Sequence, residues 1–234
     1  MFFVKGNLQK VSGQNFGVKG QIVAAIGAVA LLQLERVGVR VVGAIPQGLP
    51  GLTMPSCVRD ASPDAWGRRV LINQHLGIKG AVADGFELDE LTYLLASGSD
   101  RVGAMDFQAS PLRYVARHAQ EASLAALQTA AEKVDRGLPL TPGLDQALLH
   151  GTSLGGARPK VLMEDGERKF IAKFSASNDL YSVVKAEFIA MRLAHKVGLN
   201  VAPVQLRQVL GKDVLLIERF DRIRLQGQWR RRAM

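Results

Sequence analysis

The sequence predicts an α+β fold, and three observations carry that reading. Between residues 57 and 150 the apolar residues recur at helical spacing between recognisable caps and glycine stops. From residue 151 the pattern changes to strand, hairpin, helix, strand, strand. The apolar share is 47% over 234 residues, enough to bury one large or two small cores.

Residues 1–56 are rich in Gly, Val and Ala and carry only Glu35 against Lys5, Lys10, Lys19, Arg36 and Arg40. The run QIVAAIGAVALL (21–32) is shorter than the roughly 20 apolar residues of a membrane span. A secretory signal is the lesser reading, because Lys10 and Lys19 are spread too widely for a compact basic leader. A buried strand or helix is preferred there, and VGVRVVGAI (37–45) reads as a strand.

The next elements are clearer. DASPDAWGRRVLINQHLG opens with Asp and Ser cap candidates and ends on Gly77, predicting a helix from Pro63 to His75. In FELDELTYLLASG, Asp89 and Glu90 mark a helix start and Gly98 its end, and RVGAMDF reads as a short strand. SLAALQTAAEKVDRG is an amphipathic helix between Ser123 and Gly137. TPGLDQALLHG is a shorter one, with Thr141 as cap, Pro142 at its first position and Gly151 as its stop.

In the last part, PKVLMEDGERKFIAKF is two strands around Asp165-Gly166. Residues 180–197 form a helix whose apolar face is Val184, Phe188, Met191 and Ala194, ended by Gly198. VAPVQLRQVL and DVLLIERF are strands joined at Gly211-Lys212-Asp213. That order is the order of the small lobe of a protein-kinase-like fold.

Charge and cysteine content narrow the function. The net charge is +9, and residues 219–234 hold Arg219, Arg222, Arg224, Arg230, Arg231 and Arg232 against Asp221. Such a segment suits nucleic acid, nucleotide phosphates or an acidic protein, or is a solvated basic tail. No aromatic-interleaved basic patch or zinc-finger spacing favours direct DNA reading. One cysteine, Cys57, allows no internal disulfide and fits a reducing cytoplasm, and His and Cys are too few for a zinc site.

GTSLGGARPK (151–160) places two hydroxyls and a glycine pair beside basic residues, just before a strand. Without a Cβ, glycine N–H groups can approach phosphate oxygens closely. A flexible turn is the alternative reading of the same residues. Lys173 in FIAKF faces away from Phe170, Ala172 and Phe174, and Glu187 follows on the helix. A strand lysine that meets a helix glutamate and the nucleotide phosphates is a phosphoryl-transfer arrangement. By spacing alone, a surface lysine and a solvated glutamate fit equally well.

Taken in order, GTSLGGARPK, FIAKF, KAEF in a helix closing on VGLNVAP, and LLIERFDR resemble the HipA family, serine/threonine kinase toxins of bacterial toxin–antitoxin modules. DASPDAWGRRVL, GSDRVGAMDF and SLAALQTAAEKVDRGLPL resemble that family's N-terminal region, so the likeness runs from Val58 to Met234. The resemblance implies ATP as ligand, with Mg as companion ion. Gly155, Gly156, Ala157 and Lys160 match the nucleotide loop, Lys173 the phosphate lysine, Glu187 its helix partner, and Glu218, Arg219 and Phe220 the adenine hinge. Ser153 matches the autophosphorylated position, with Thr152 as a neighbouring acceptor. Phosphate there would place about two negative charges beside the loop and eject it from the ATP site. The implied partners are a helix-turn-helix antitoxin, DNA only through that antitoxin, and a protein substrate such as an aminoacyl-tRNA synthetase; a membrane is not expected.

Two departures shape the expectation. The family's Asp base, magnesium-binding Asn and second metal-binding Asp follow the hinge in a helical large lobe, whereas this sequence runs only to QWRRRAM (228–234). Residues 1–56 do not match the family's N-terminal strands. The expected organisation is therefore a poorly matching segment 1–56, a mostly helical HipA-like subdomain 57–150, a kinase-like small lobe 151–222, and a basic tail 223–234. The chain is expected to be a piece of a HipA-like kinase lacking its catalytic residues and metal ligands, inactive alone. The alternative is a non-enzymatic binding or regulatory module of a split toxin–antitoxin system.

Overall fold

The computed structural model describes residues 2–9, 17–25, 28–35, 59, 61–78, 80–102, 106–109, 113–117, 122–176 and 178–231. Within them the fold is mixed helix and antiparallel sheet, as the sequence predicts.

Strands β1 (Phe2–Gln9), β2 (Gly17–Ala25) and β3 (Ala28–Glu35) form an antiparallel meander. The run 21–32 is thus shared between two strands, which settles the choice between strand and helix. An apolar run this short fits either element, and here the pairing with β1 decides. Strand β4 (Phe107–Gln108) adds to the free edge of β1, giving the order β3-β2-β1-β4. Of the strand expected over 101–107, the described residues place Phe107 in β4, and 103–105 lie outside them. The one expected over 37–45 lies outside the described residues.

Helix α1 (Ala65–Leu76) ends on Gly77 in the left-handed region, where no Cβ penalty applies. Helix α2 (Glu90–Ala96) is capped by Asp89, which accepts the Leu91 N–H. Ser123 caps α3 (Leu124–Asp135) by accepting the Ala126 N–H at 3.2 Å. Helix α4 (Pro142–Leu149) runs on into a 3-10 turn, His150–Ser153, rather than stopping at Gly151.

The second sheet has the order β5-β6-β8-β7, all antiparallel, from β5 (Lys160–Asp165), β6 (Arg168–Phe174), β7 (Val204–Val209) and β8 (Lys212–Glu218). The β5–β6 hairpin turns at Gly166-Glu167; the β7–β8 hairpin turns at Leu210-Gly211, one residue earlier than the sequence suggests. One face of this sheet, with Val161, Phe170, Ala172, Phe174, Val214 and Leu216, packs on Trp66 and Val70 of α1, Leu127, Ala131 and Val134 of α3, and Leu148 of α4. This is the main core. Helix α5 (Val183–Lys196) packs against β7 and β8, with Val184 buried and Phe188, Met191 and Ala194 half-buried.

The segment read as a basic tail is instead a β-hairpin, β9 (Arg222–Leu225) and β10 (Gln228–Arg231), turning at Gln226-Gly227. Its apolar residues and turn glycine are masked in the sequence by the arginines around them. No helix among the described residues is long and apolar enough to cross a membrane.

Candidate nucleotide site

Lys173 is the centre of the candidate site. In β6, Phe170, Ala172 and Phe174 enter the core, so strand alternation turns Ile171 and Lys173 to the opposite face. Antiparallel pairing sets Lys160 beside Lys173 and Leu215 on its other side, all on that face. Ser182 caps α5, its Oγ accepting the Lys185 N–H, and the helix carries Glu187 to Lys173. Lys173 Nζ donates to Glu187 Oε1 at 2.5 Å, with both side chains about half-buried. The pairing left open by the spacing of the two residues is therefore made.

Lys160 is buried, at 4% exposure, and its Nζ donates to the Gly156 carbonyl at 2.9 Å. Burial, with the Lys173 ammonium close by, pushes the Lys160 amine down to about 8. Gly156 has φ +100°, and a Cβ there would lie 3.1 Å from Lys160 Nζ, so glycine is required. The Gly156 N–H donates to Asp64 Oδ2 at 2.6 Å. Trp66 braces the same loop: its backbone N–H reaches the Gly156 carbonyl at 3.4 Å and its Nε1 the Lys160 carbonyl at 3.0 Å.

The two hydroxyls sit beneath this loop. Thr152 is fully buried and its Oγ1 donates to the Leu149 carbonyl; Ser153 is 8% exposed. Helix α1 approaches so closely at Gly67 that a Cβ there would meet the Thr152 carbonyl at 2.1 Å. Ala157 follows Gly156 at the exposed tip of the loop.

The three hinge residues lie farther along β8. Strand β8 is internal, so its end is already paired: the Glu218 N–H donates to Pro203 O and the Arg219 N–H to Lys169 O. The Arg219 side chain is buried inside the fold. It donates to Asp221 at 2.7 and 2.8 Å and to the carbonyls of Asp100 and Arg101. Phe220 is exposed. Arg222 joins the same buried cluster through Asp100 at 2.6 Å and Asp221 at 2.6 Å, and Lys169 Nζ reaches Asp100 at 2.9 Å. Burial alone would raise the Asp100 carboxyl, but Arg219, Arg222 and Lys169 hold it well below the usual carboxylate range. Two of the arginines counted as tail charge are thus neutralised inside the fold.

Sequence reasoning missed Asp64 and Asp100 as parts of this region. Asp64 reads locally as a helix cap, and nothing near Asp100 points to residues 219–222.

The family model of the HipA-like C-terminal domain matches residues 152–234. That stretch is similar to the HipA-like C-terminal domain. The HipA-like match begins at Thr152, inside the turn that leads to the glycine loop, and so includes Lys160, Lys173, Glu187 and Glu218. Y4mE of Sinorhizobium fredii, a protein named as a candidate kinase, is 37% identical over 82 residues, which is 31% of this chain and 20% of that protein. The HipA of Shewanella oneidensis, solved with HipB and operator DNA, is 25% identical with a TM-score of 0.50. That match covers 75% of this chain and 41% of the HipA chain. The chain therefore spans less than half the length of either relative.

Proposed function

We propose that residues 151–222 are the nucleotide-binding small lobe of a HipA-like serine/threonine kinase. The observation that carries this is the 2.5 Å Lys173–Glu187 pair, set beside buried Lys160 and the glycine loop on one sheet face. The pair fixes the lysine ammonium where it can meet phosphate oxygens, while the glycine loop offers backbone N–H groups. These residues fit ATP. Gly155, Gly156 and Ala157 would cover the phosphates, Lys160 and Lys173 would neutralise them, and Glu187 would orient Lys173. Adenine would lie toward Glu218, Arg219 and Phe220, where Phe220 offers an exposed ring, while the N–H groups of Glu218 and Arg219 are held by Pro203 and Lys169.

Magnesium commonly takes one or two carboxylates together with nucleotide phosphates, and among the described residues no group of three or more His, Cys, Asp or Glu side chains could hold a metal ion without them. ATP would supply the phosphoryl group, and Gly155, Gly156, Ala157, Lys160 and Lys173 would bind and orient it.

For the whole protein, the proposed reaction is transfer of the γ-phosphoryl group to a serine hydroxyl of a protein, an aminoacyl-tRNA synthetase being the class that the resemblance suggests. Ser153, with Thr152 beside it, is the proposed internal acceptor. Both are buried under the loop, so their phosphorylation needs the His150–Ser153 turn to open. A helix-turn-helix antitoxin, and operator DNA through it, are the proposed partners, since the similar HipA was solved with HipB and DNA. A cytoplasmic location is part of the same proposal.

ATP should raise the melting temperature of the wild-type chain, and Lys173→Ala should remove that rise. An equal rise in the variant would remove Lys173 from the site.

A further inference from the structure

Asp64 stands at the N-cap of α1 but makes no side-chain cap bond. An aspartate there ordinarily accepts an N–H from the first turn of its own helix. This one instead reaches a residue 92 positions away, accepting the Gly156 N–H at 2.6 Å. The bond is charge-assisted, and the group it occupies is a glycine-loop N–H of the kind that binds phosphate oxygens.

The surroundings match that use. Gly155 lets the carboxylate come close, because a Cβ there would sit 3.0 Å from Asp64 Oδ2. The Gly156 carbonyl accepts from Lys160 Nζ and from the Trp66 N–H, so the residue's carbonyl is held by the fold while its N–H is held by the Asp64 carboxylate. Asp64 and Glu187 both lie close enough to Lys160 to favour its charged form, so a phosphate that displaced Asp64 would take over one of two anions now beside Lys160 and Lys173. Asp64 is exposed, so its side chain can leave for water without uncovering a core.

We infer that the Asp64 carboxylate is an internal competitor for the nucleotide phosphates, holding the glycine loop at Gly156 N–H until a phosphate oxygen takes its place. This rests on the nucleotide reading given above. Phosphate-bearing ligands must displace Asp64, whereas adenosine need not. The carboxylate thereby sets the affinity of the site and ties loop opening to the first turn of α1.

Calorimetric titration of ATP and of adenosine into the 234-residue chain tests this, comparing wild type with Asp64→Ala. The variant should bind ATP about three- to tenfold more tightly, with adenosine affinity unchanged, because a single exposed charge-assisted bond no longer competes. The gain should persist at high salt, since it comes from a freed N–H rather than a distant field. Equal or weaker ATP binding, or a gain that disappears in salt, would overturn the competitor role. Should the variant not fold, the wild type still decides. Tripolyphosphate should move both the Gly156 amide and the Asp64 carboxyl carbon resonances; an unmoved Asp64 carboxyl overturns the competitor role alone when ATP binding is still Lys173-dependent. A wild type that binds neither ATP nor tripolyphosphate overturns the nucleotide reading and the competitor role together.

Discussion

Lys173 and Glu187, 14 positions apart, meet at 2.5 Å between strand β6 and helix α5. Their half-exposed side chains make the pair a modest source of stability, about 0.5–1 kcal/mol. Its larger effect is on ligand affinity. In a double-mutant cycle of Lys173→Met and Glu187→Gln, unfolding by urea should show a coupling of at most about 1 kcal/mol. ATP affinity should fall about tenfold or more in the lysine variant, because a charged contact to phosphate is lost. A coupling of several kcal/mol with unchanged ATP affinity would mark the pair as structural.

Lys160 gives the site a pH dependence. Its amine is pushed down to about 8 by burial and by Lys173, so it is charged at pH 7 and largely neutral at about pH 9. ATP affinity should therefore fall several-fold between those values, and Lys160→Met should bind weakly with no such dependence. For stability the sign is opposite. The unfolded lysine keeps its proton to about 10.4, so between 8 and that value the unfolded chain binds more protons and this residue's contribution rises with pH.

Asp100 controls the acid limb. Its carboxyl is held low by Arg219, Arg222 and Lys169 against the cost of burial. Because the folded value is below the unfolded one, the stabilisation is complete above about pH 4 and is lost as pH falls further. Asp100→Ala should cost about 3 kcal/mol at neutral pH, since it leaves Arg219 and Arg222 short of a buried partner. Asp100→Asn should flatten this part of the acid-denaturation curve. An unchanged curve would contradict the geometry around Asp100.

Two glycines should respond oppositely to alanine. At Gly67 the new Cβ would meet the Thr152 carbonyl at 2.1 Å, so Gly67→Ala should lose about 2 kcal/mol or more and loosen the turn that carries Ser153. Gly143, in α4, has nothing within 4 Å, so Gly143→Ala should gain about 0.5–1 kcal/mol from helix propensity. Thermal melts of both variants check the contrast.

What the sequence revealed follows the range over which residues interact. The hairpin turning at Gly166, helix α5 with Val184 inward, and the facing of Lys173 all rest on local periodicity, and the structure has them. The sequence of 21–32 fits helix and strand alike, because only its pairing with β1 and within β2–β3 distinguishes the two. Asp64 and Asp100 were invisible as partners, since their contacts lie 92 and 122 positions away, beyond any local pattern. The arginines from 219 to 231 looked like a uniform charge run. Two are buried against carboxylates, and the rest of the run folds into a hairpin whose Trp229 donates to Glu164.

The central claim is that the face carrying Lys160 and Lys173 binds nucleotide. Amide chemical-shift mapping of the isotope-labelled 234-residue chain during ATP titration tests it most directly. The predicted shifts are at Gly155, Gly156, Ala157, Lys160 and Lys173, saturating together. Shifts confined to Arg224, Arg230 and their neighbours in the β9–β10 hairpin, with the glycine loop unmoved, would contradict the claim.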